Sequence, residues 1–139
     1  MDSEQFYVYL SSDDSKIYFP DNVPAKFTVK LPETLHLRGK WQLALCDVQY
    51  PSIEKKQPEQ LLFLTDICQD SIVGETRMPI LRRFKYTTEG YTSFGVFYYV
   101  TLKNREVDRI SVYLRTDSGE EPSFVSGTVK CTLHFQHVE

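Results

Sequence analysis

The sequence is poor in the residue types that most often carry chemistry. It has three histidines, three cysteines and six glycines in 139 residues. The histidines and cysteines show none of the C-x-x-C or H-x-H spacings of common metal sites. The glycines form neither a phosphate-binding loop nor the G-x-S-x-G turn of a serine hydrolase. We therefore predict a protein that is not an enzyme, with no catalytic residue, no bound metal and no cofactor.

Long apolar runs are missing as well. No run approaches the roughly 20 apolar residues that a spanning helix needs, and Met1–Gln5 is acidic and is not followed by the apolar core of a signal peptide. We expect no membrane partner and a reducing compartment, the cytoplasm or nucleus of a cell. Cys46, Cys68 and Cys131 are odd in number and lie in apolar or alternating runs, so we interpret them as small buried hydrophobic residues without a disulfide.

Aromatic residues, in contrast, are plentiful. Nine Tyr, nine Phe and one Trp make up 14% of the chain, and aromatic residues favour β-strands. The length of 139 residues corresponds to one domain, which we place over residues 1–139. The formal charge of −3 lacks the basic field of a protein that grips nucleic acid. We expect a protein as the principal partner and no direct, sequence-specific contact with nucleic acid.

Hydrophobic residues alternate with polar ones from end to end, which is the pattern of strands that bury one face. In the clearest run, Phe27 and Val29 face a core while Lys26 and Lys30 face water. The last and longest run places Cys131, Leu133 and Phe135 on one face and Lys130, Thr132, His134 and Gln136 on the other. Turn-forming residues separate the runs. About eight antiparallel strands, forming an all-β sandwich or barrel, are predicted.

Three segments carry more specific expectations. Residues 61–64 are apolar on both faces, which places them deep in the sandwich or against a neighbour. Residues 78–86 and 95–102 are predicted as strands. The stretch 54–60, which contains Pro58, allows a single helical turn at most.

Two oppositely charged surface segments stand out. Arg82, Arg83 and Lys85 belong to a basic run, and the turn with Asp117, Glu120 and Glu121 is acidic. One interpretation is two solvated patches on a monomer. The other is that they are complementary faces of a repeated subunit contact, in which charge sets register and association rate. As a calcium site the acidic turn does not match an EF-hand, and neither does Asp13-Asp14.

A third surface feature is the run Phe97, Tyr98 and Tyr99. Adjacent residues of a strand face opposite sides, so Tyr98 or Tyr99 has to lie off the core of a single sandwich unless a loop covers it. We predict that Phe97, Tyr98 and Tyr99 belong to a subunit interface, since exposed aromatic surface is typical of interfaces. The alternative is a core edge under a long loop.

Two blocks of the chain resemble a known family. The shared positions are mainly hydrophobic and turn residues near both ends: Phe6-x-Val8-x-Leu10, Phe19-Pro20-x-Asn22, Leu31-Pro32, Leu37-x-Gly39-x-Trp41 and Tyr50-Pro51 in the first block, and Asp117-x-Gly119, Phe124, Gly127-x-Val129 and Leu133-His134-Phe135 in the second. In these positions the chain resembles the minor capsid (penton) proteins of Polinton/Maverick elements and adintoviruses. Gln42 stands where the family pattern leads us to expect an acidic residue.

The resemblance implies a single jelly-roll β-sandwich that forms homopentamers at the fivefold vertices of an icosahedral capsid. It implies a second partner, the double jelly-roll major capsid protein, and a location in the virion. A ligand- or carbohydrate-binding β-sandwich is the alternative function. It needs exposed aromatic rings, whereas the alternation places Trp41 in the core with Leu43 and Leu45. A hydrolase with paired carboxylates is a weaker third possibility.

Overall fold

The computed structural model describes residues 4–139, so residues 1–3 of the N-terminal segment considered above lie outside the described residues. The described chain is all-β and antiparallel, as the composition and alternation predict, in an arrangement consistent with a β-sandwich. Between residues 4 and 139 no helix is long and apolar enough to cross a membrane. The strands are β1 (Gln5–Ser11), β2 (Lys26–His36), β3 (Lys40–Gln49), β4 (Gln60–Thr65), β5 (Ser71–Val73), β6 (Thr76–Met78), β7 (Ile80–Lys85), β8 (Tyr91–Ser93), β9 (Val100–Thr101), β10 (Glu106–Thr116) and β11 (Lys130–Val138).

The strands form two main sheets. The first sheet has the order β1-β11-β3-β8, and β9 also pairs with β3. The second sheet has the order β2-β10-β4-β7, while β5 and β6 form a separate hairpin. The first strand pairs with the last in regular register, with Phe6 opposite Phe135 and Leu10 opposite Cys131. Strands far apart in sequence are therefore neighbours in both main sheets.

A single core cluster draws residues from both main sheets. On β2, Phe27 and Val29 are buried while Lys26 and Lys30 are exposed, which confirms the predicted alternation. The core includes Phe63 on β4 and Leu45 on β3, both fully buried. Each such side chain stabilises the fold by about 1.5–3 kcal/mol relative to exposure.

The two-faced run at 61–64 lies on β4, which is an interior strand of the second sheet. Leu61 and Phe63 belong to the core, and Leu62 points the other way yet is only 5% exposed. Its cross-strand neighbours are Arg115 on one side and Arg83 on the other. Long basic side chains cover apolar surface with their methylene groups while their charged ends reach water, which accounts for the burial of Leu62.

Two strand predictions need correction. The predicted strand at 95–102 is reduced to β9, because the backbone of 94–99 leaves the sheet after the Phe94 amide donates to the Cys46 carbonyl at 3.0 Å. The predicted strand at 78–86 is interrupted at Pro79, which lacks an N–H for a ladder, and is divided between β6 and β7. No helical turn forms at 54–60.

Four connections, residues 12–25, 50–59, 86–90 and 117–129, meet at one end of the fold, here called the four-loop end. The Val125 amide donates to Ser52 at 2.9 Å and the Tyr86 amide donates to Glu59 at 2.9 Å. Gly90 has φ +73°, and a Cβ there would lie 2.5 Å from the Tyr50 carbonyl oxygen. Only glycine fits both that conformation and that close approach.

Candidate subunit-contact surfaces

The basic run on β7 separates into two kinds of residue. Arg83 and Lys85 are exposed on the outer face of the second sheet, at its β7 edge. Arg82 is half-buried, and its Nη1 atom donates to the Val96 carbonyl oxygen at 2.6 Å. Arg82 is therefore engaged within its own chain, which leaves Arg83 and Lys85 as the residues of the run that face outward.

Two aromatic rings clamp the Arg82 guanidinium. Its central carbon lies 3.9 Å from the ring centroid of Phe94 and 3.9 Å from that of Tyr98. Such cation–π contacts contribute about 0.5–1 kcal/mol each at exposed sites. They fasten residues 94–98 beside the β7 edge. The alternation of residues does not predict this clamp, because in the sequence Arg82 is simply one of several positive charges in a basic run.

The aromatic run divides by exposure. Tyr98 is 59% exposed, whereas Phe97 and Tyr99 are half-buried. Because 94–99 is not a strand, Tyr98 and Tyr99 do not alternate across a sheet as predicted. Tyr99 packs on the outer face of the first sheet against His134, with ring centroids 5.8 Å apart. Phe97 and Tyr99 therefore belong to a loop that itself packs on the first sheet, and Tyr98 is the most exposed ring of the run.

His134 shows what the 94–99 segment covers. Its ring is on the outer face of β11, as the alternation predicts, but it is only 4% exposed. Its Nε2 atom lies 2.8 Å from Gln5 Oε1 and its Nδ1 atom lies 2.8 Å from the Tyr99 hydroxyl. Since an amide oxygen only accepts, Nε2 carries the proton and the Tyr99 hydroxyl donates to Nδ1. The ring also packs against Tyr7 with centroids 4.7 Å apart.

The burial of His134 predicts how the stability of the protein depends on pH. Desolvation lowers the pKa of His134, so the unfolded chain binds a proton more readily than the folded chain. Above the unfolded pKa of about 6.5 the ring is neutral in both states, and its burial does not make stability depend on pH. Below that pH the unfolded chain takes up the proton first, so the free energy of unfolding falls. We expect the free energy of unfolding, measured by urea denaturation, to fall between pH 7.5 and 5.5, and a His134→Gln variant to lose part of that fall. His36→Gln is the control, since His36 is exposed. An unchanged pH slope in His134→Gln would contradict the assignment.

The acidic turn is ordered by its own backbone. The Thr116 amide donates to the Glu120 carbonyl at 2.8 Å, and the Asp117 amide donates to Gln60 at 3.2 Å. The side chains of Asp117, Glu120 and Glu121 are exposed, and within residues 4–139 none of them joins an ion pair. The turn therefore presents its negative charge to solvent.

The acidic turn is part of a larger negative region. The four connections of the four-loop end contain nine carboxylates and three lysines. One carboxylate of this group, Asp13, is neutralised by an ion pair with Lys16 at 3.2 Å. Thr128 and Lys16 hold the pKa of Asp13 below its ordinary value. The net charge of −3 is thus unevenly distributed, and the four-loop end is strongly acidic. The sequence alone does not reveal this, because the four loops come together only in the folded chain.

The three cysteines are buried and free, as predicted. Burial raises the pKa of the Cys46 thiol to about 11 and that of Cys68 to about 12, and it raises the pKa of Cys131 as well. They are therefore thiols at neutral pH, and thiols are poor nucleophiles and metal ligands. Across residues 4–139, no three His, Cys, Asp or Glu side chains are grouped as metal ligands.

No protein-family model matches the chain, and no curated protein matches it either.

Proposed function

We propose that the chain is a structural capsid protein, a penton subunit that assembles into rings of five at the vertices of an icosahedral capsid. The observation that carries the proposal is the strand order. With the β5-β6 hairpin left out and β8 and β9 counted as one strand, eight strands pair in the orders 1-8-3-6 and 2-7-4-5. These orders support a jelly roll, a fold built from two Greek keys and used by viral capsid and lectin domains. A jelly roll can serve several functions, and the resemblance to Polinton/Maverick and adintovirus pentons favours the capsid function among them.

A closed ring of identical subunits requires two different patches on each subunit, because its contact is heterologous. Two surfaces of opposite charge support this arrangement. The positive one is the β7 edge with Arg83 and Lys85, beside the exposed ring of Tyr98. The negative one is the four-loop end with Asp117, Glu120 and Glu121. We propose that the β7 edge of one subunit contacts the four-loop end of the next.

The ligand-binding alternative has one observation in its favour. Tyr9 and Tyr91 line the same shallow groove as Asp47, and they are 74% and 50% exposed. Tyrosine rings beside a carboxylate suit the stacking and hydrogen bonding of a sugar. Trp41, in contrast, is half-buried: its Nε1 atom donates to the Arg38 carbonyl at 3.0 Å, and its ring packs on Phe6. Trp41 therefore packs against the core, as its alternation with Leu43 and Leu45 predicts, although it is only partly buried.

The test of the capsid proposal is the mass of the particle in solution. Light scattering followed by electron microscopy should give fivefold rings, formed by the protein alone or on addition of the double jelly-roll major capsid protein of the same genome. A protein that stays monomeric with that partner present would contradict the proposal. Specific binding of a glycan by such a monomer would favour the alternative instead.

A further inference from the structure

The outer face of the second sheet carries cations that lack carboxylate partners. Lys26 and Lys30 on β2, with Arg109 and Arg115 on β10, lie on this β2-β10 face, and in the described part of the chain none of the four forms an ion pair. Lys30 stands directly opposite Arg109 across the two strands. Like charges opposite each other destabilise a sheet. The fold therefore retains a repulsion between Lys30 and Arg109, which a bound anionic ligand would reduce.

Aromatic rings lie beside three of these four cations. Lys26 Nζ and Arg115 Cζ each lie 5.9 Å from the ring centroid of Tyr113. Lys30 Nζ lies 4.6 Å from the ring centroid of Tyr18, which is 60% exposed. A ring attracts a cation through its quadrupole but adds no negative charge. The face keeps its positive charge and gains stacking surface.

Hydroxyl groups lie among the cations: Thr28 is between Lys26 and Lys30 along β2, and Ser111 follows Arg109 along β10. Thr28 and Ser111 face each other, and their hydroxyl oxygens are 2.7 Å apart. Successive outward residues of a strand are about 6.8 Å apart, so Lys26, Thr28 and Lys30 follow one another along β2 at that interval. Lysine, arginine, threonine and tyrosine are among the side chains that contact nucleic-acid phosphates, whereas Ser111 is buried and supports the Thr28 hydroxyl.

Several carboxylates of the described chain border the face without forming ion pairs with its cations. Asp66 Oδ1 accepts the Ser111 amide at 2.9 Å, and burial raises the pKa of Asp66, while Lys103 and Arg109 act in the opposite direction. Asp108 precedes Arg109 where the β2-β10 register shifts. Asp14 and Glu33 line a groove with Lys30, and Glu106 lies further along β10, but within residues 4–139 none of these carboxylates forms an ion pair with the four cations.

We propose that the β2-β10 face binds the phosphate backbone of nucleic acid without reading its bases. A nucleic acid combines phosphates, which suit the cations and hydroxyls, with bases that stack on tyrosine rings. An acidic peptide offers only the first of these. Outside the four-loop end the chain carries 13 lysines and arginines against ten carboxylates, so the negative net charge resides at that end. The proposal rests on the fold and on this face, and it is independent of the capsid function.

The test is binding of labelled single-stranded and duplex DNA of random sequence, followed by fluorescence anisotropy between 50 and 200 mM salt. Four phosphate contacts predict that the logarithm of affinity falls with the logarithm of salt with a slope of about −2.8 to −3.6, a loss of roughly 50- to 150-fold over this range. A Lys30→Gln/Arg109→Gln variant should reduce the steepness by about 1.4–1.8. A Lys55→Gln/Lys56→Gln variant, with the same change of charge at the four-loop end, should keep the wild-type slope.

Three results would overturn the inference: no binding at 50 mM salt, equal weakening in the two variants, or equal competition by polyglutamate at matched charge, which would mark a surface for an acidic protein. The particle mass of the Lys30→Gln/Arg109→Gln variant keeps the two proposals apart. If this variant assembles normally but no longer binds DNA, the result supports nucleic-acid binding by the β2-β10 face and does not test the ring. If the wild-type protein stays monomeric but binds DNA, that result contradicts the proposed ring and leaves the nucleic-acid proposal standing.

Discussion

A double charge reversal, Arg83→Glu with Lys85→Glu, is expected to abolish ring assembly while leaving the subunit folded. Both side chains are exposed at the β7 edge and have no ion pair within residues 4–139, so their replacement breaks no ion pair of the monomer and removes only the cover that the Arg83 methylene groups give Leu62. Opposite the acidic four-loop end of a neighbour, the new carboxylates would place like charges together, which costs several kcal/mol. Light scattering at low salt should show monomers.

The rescue and the control make this test specific. Adding Asp117→Lys and Glu120→Lys to the reversed chain restores opposite signs across the contact and should restore rings. Arg82 is not a suitable target, because reversing it would remove its hydrogen bond to Val96 and its stacking on Phe94 and Tyr98. Normal assembly of the Arg83→Glu/Lys85→Glu variant at both low and high salt would show that the β7 edge is not a contact.

Replacing Phe135 by alanine is expected to lower the free energy of unfolding by about 3–5 kcal/mol. The side chain is fully buried at the centre of the first sheet, and its ring stacks on Phe6 with centroids 5.0 Å apart and an interplanar angle of 7°. Its removal leaves a cavity that neighbouring strands cannot close, since they are held by backbone ladders on both sides of β11. Urea denaturation followed by fluorescence or circular dichroism would measure the loss.

Tyr9→Ala is the matched control for Phe135→Ala. It removes a ring of similar size from the same sheet, but the Tyr9 side chain is 74% exposed. Surface substitutions of this kind usually change stability by less than about 0.5 kcal/mol. Similar losses for the two variants would mean that Phe135 is not a core residue of the folded state.

Alternation predicted the local part of the fold well. Phe27 and Val29 are buried and Lys26 and Lys30 are exposed because one face of each strand packs on the core and the period of a strand is two. The same rule placed His134 on the outer face. It did not predict the burial of His134, because that burial depends on Tyr99, which is 35 residues away in sequence and is held over the ring by a hydrogen bond.

The candidate surfaces were only partly predictable for the same reason. The basic and acidic runs of Arg83, Lys85, Glu120 and Glu121 are visible in the sequence because their members are close together. The Arg82 clamp joins β7 to Val96, fourteen residues further along the chain. The β2-β10 face joins residues that are about 80 positions apart. Such groupings need the strand order, which side-chain periodicity does not contain.

The pairing of the first strand with the last also affects how the protein is made. Phe6 and Phe135 are partners in the ladder, so β1 has no neighbour in its sheet until β11 has left the ribosome. At a synthesis rate of about 5–20 residues per second, β1 waits for roughly 6–25 s. Ladders of such long range form slowly because loop closure has to precede the contacts that reward it. A nascent chain therefore exposes the unpaired edge of β1 and its core-facing side chains Phe6, Val8 and Leu10 during this time, which is the kind of surface that aggregates.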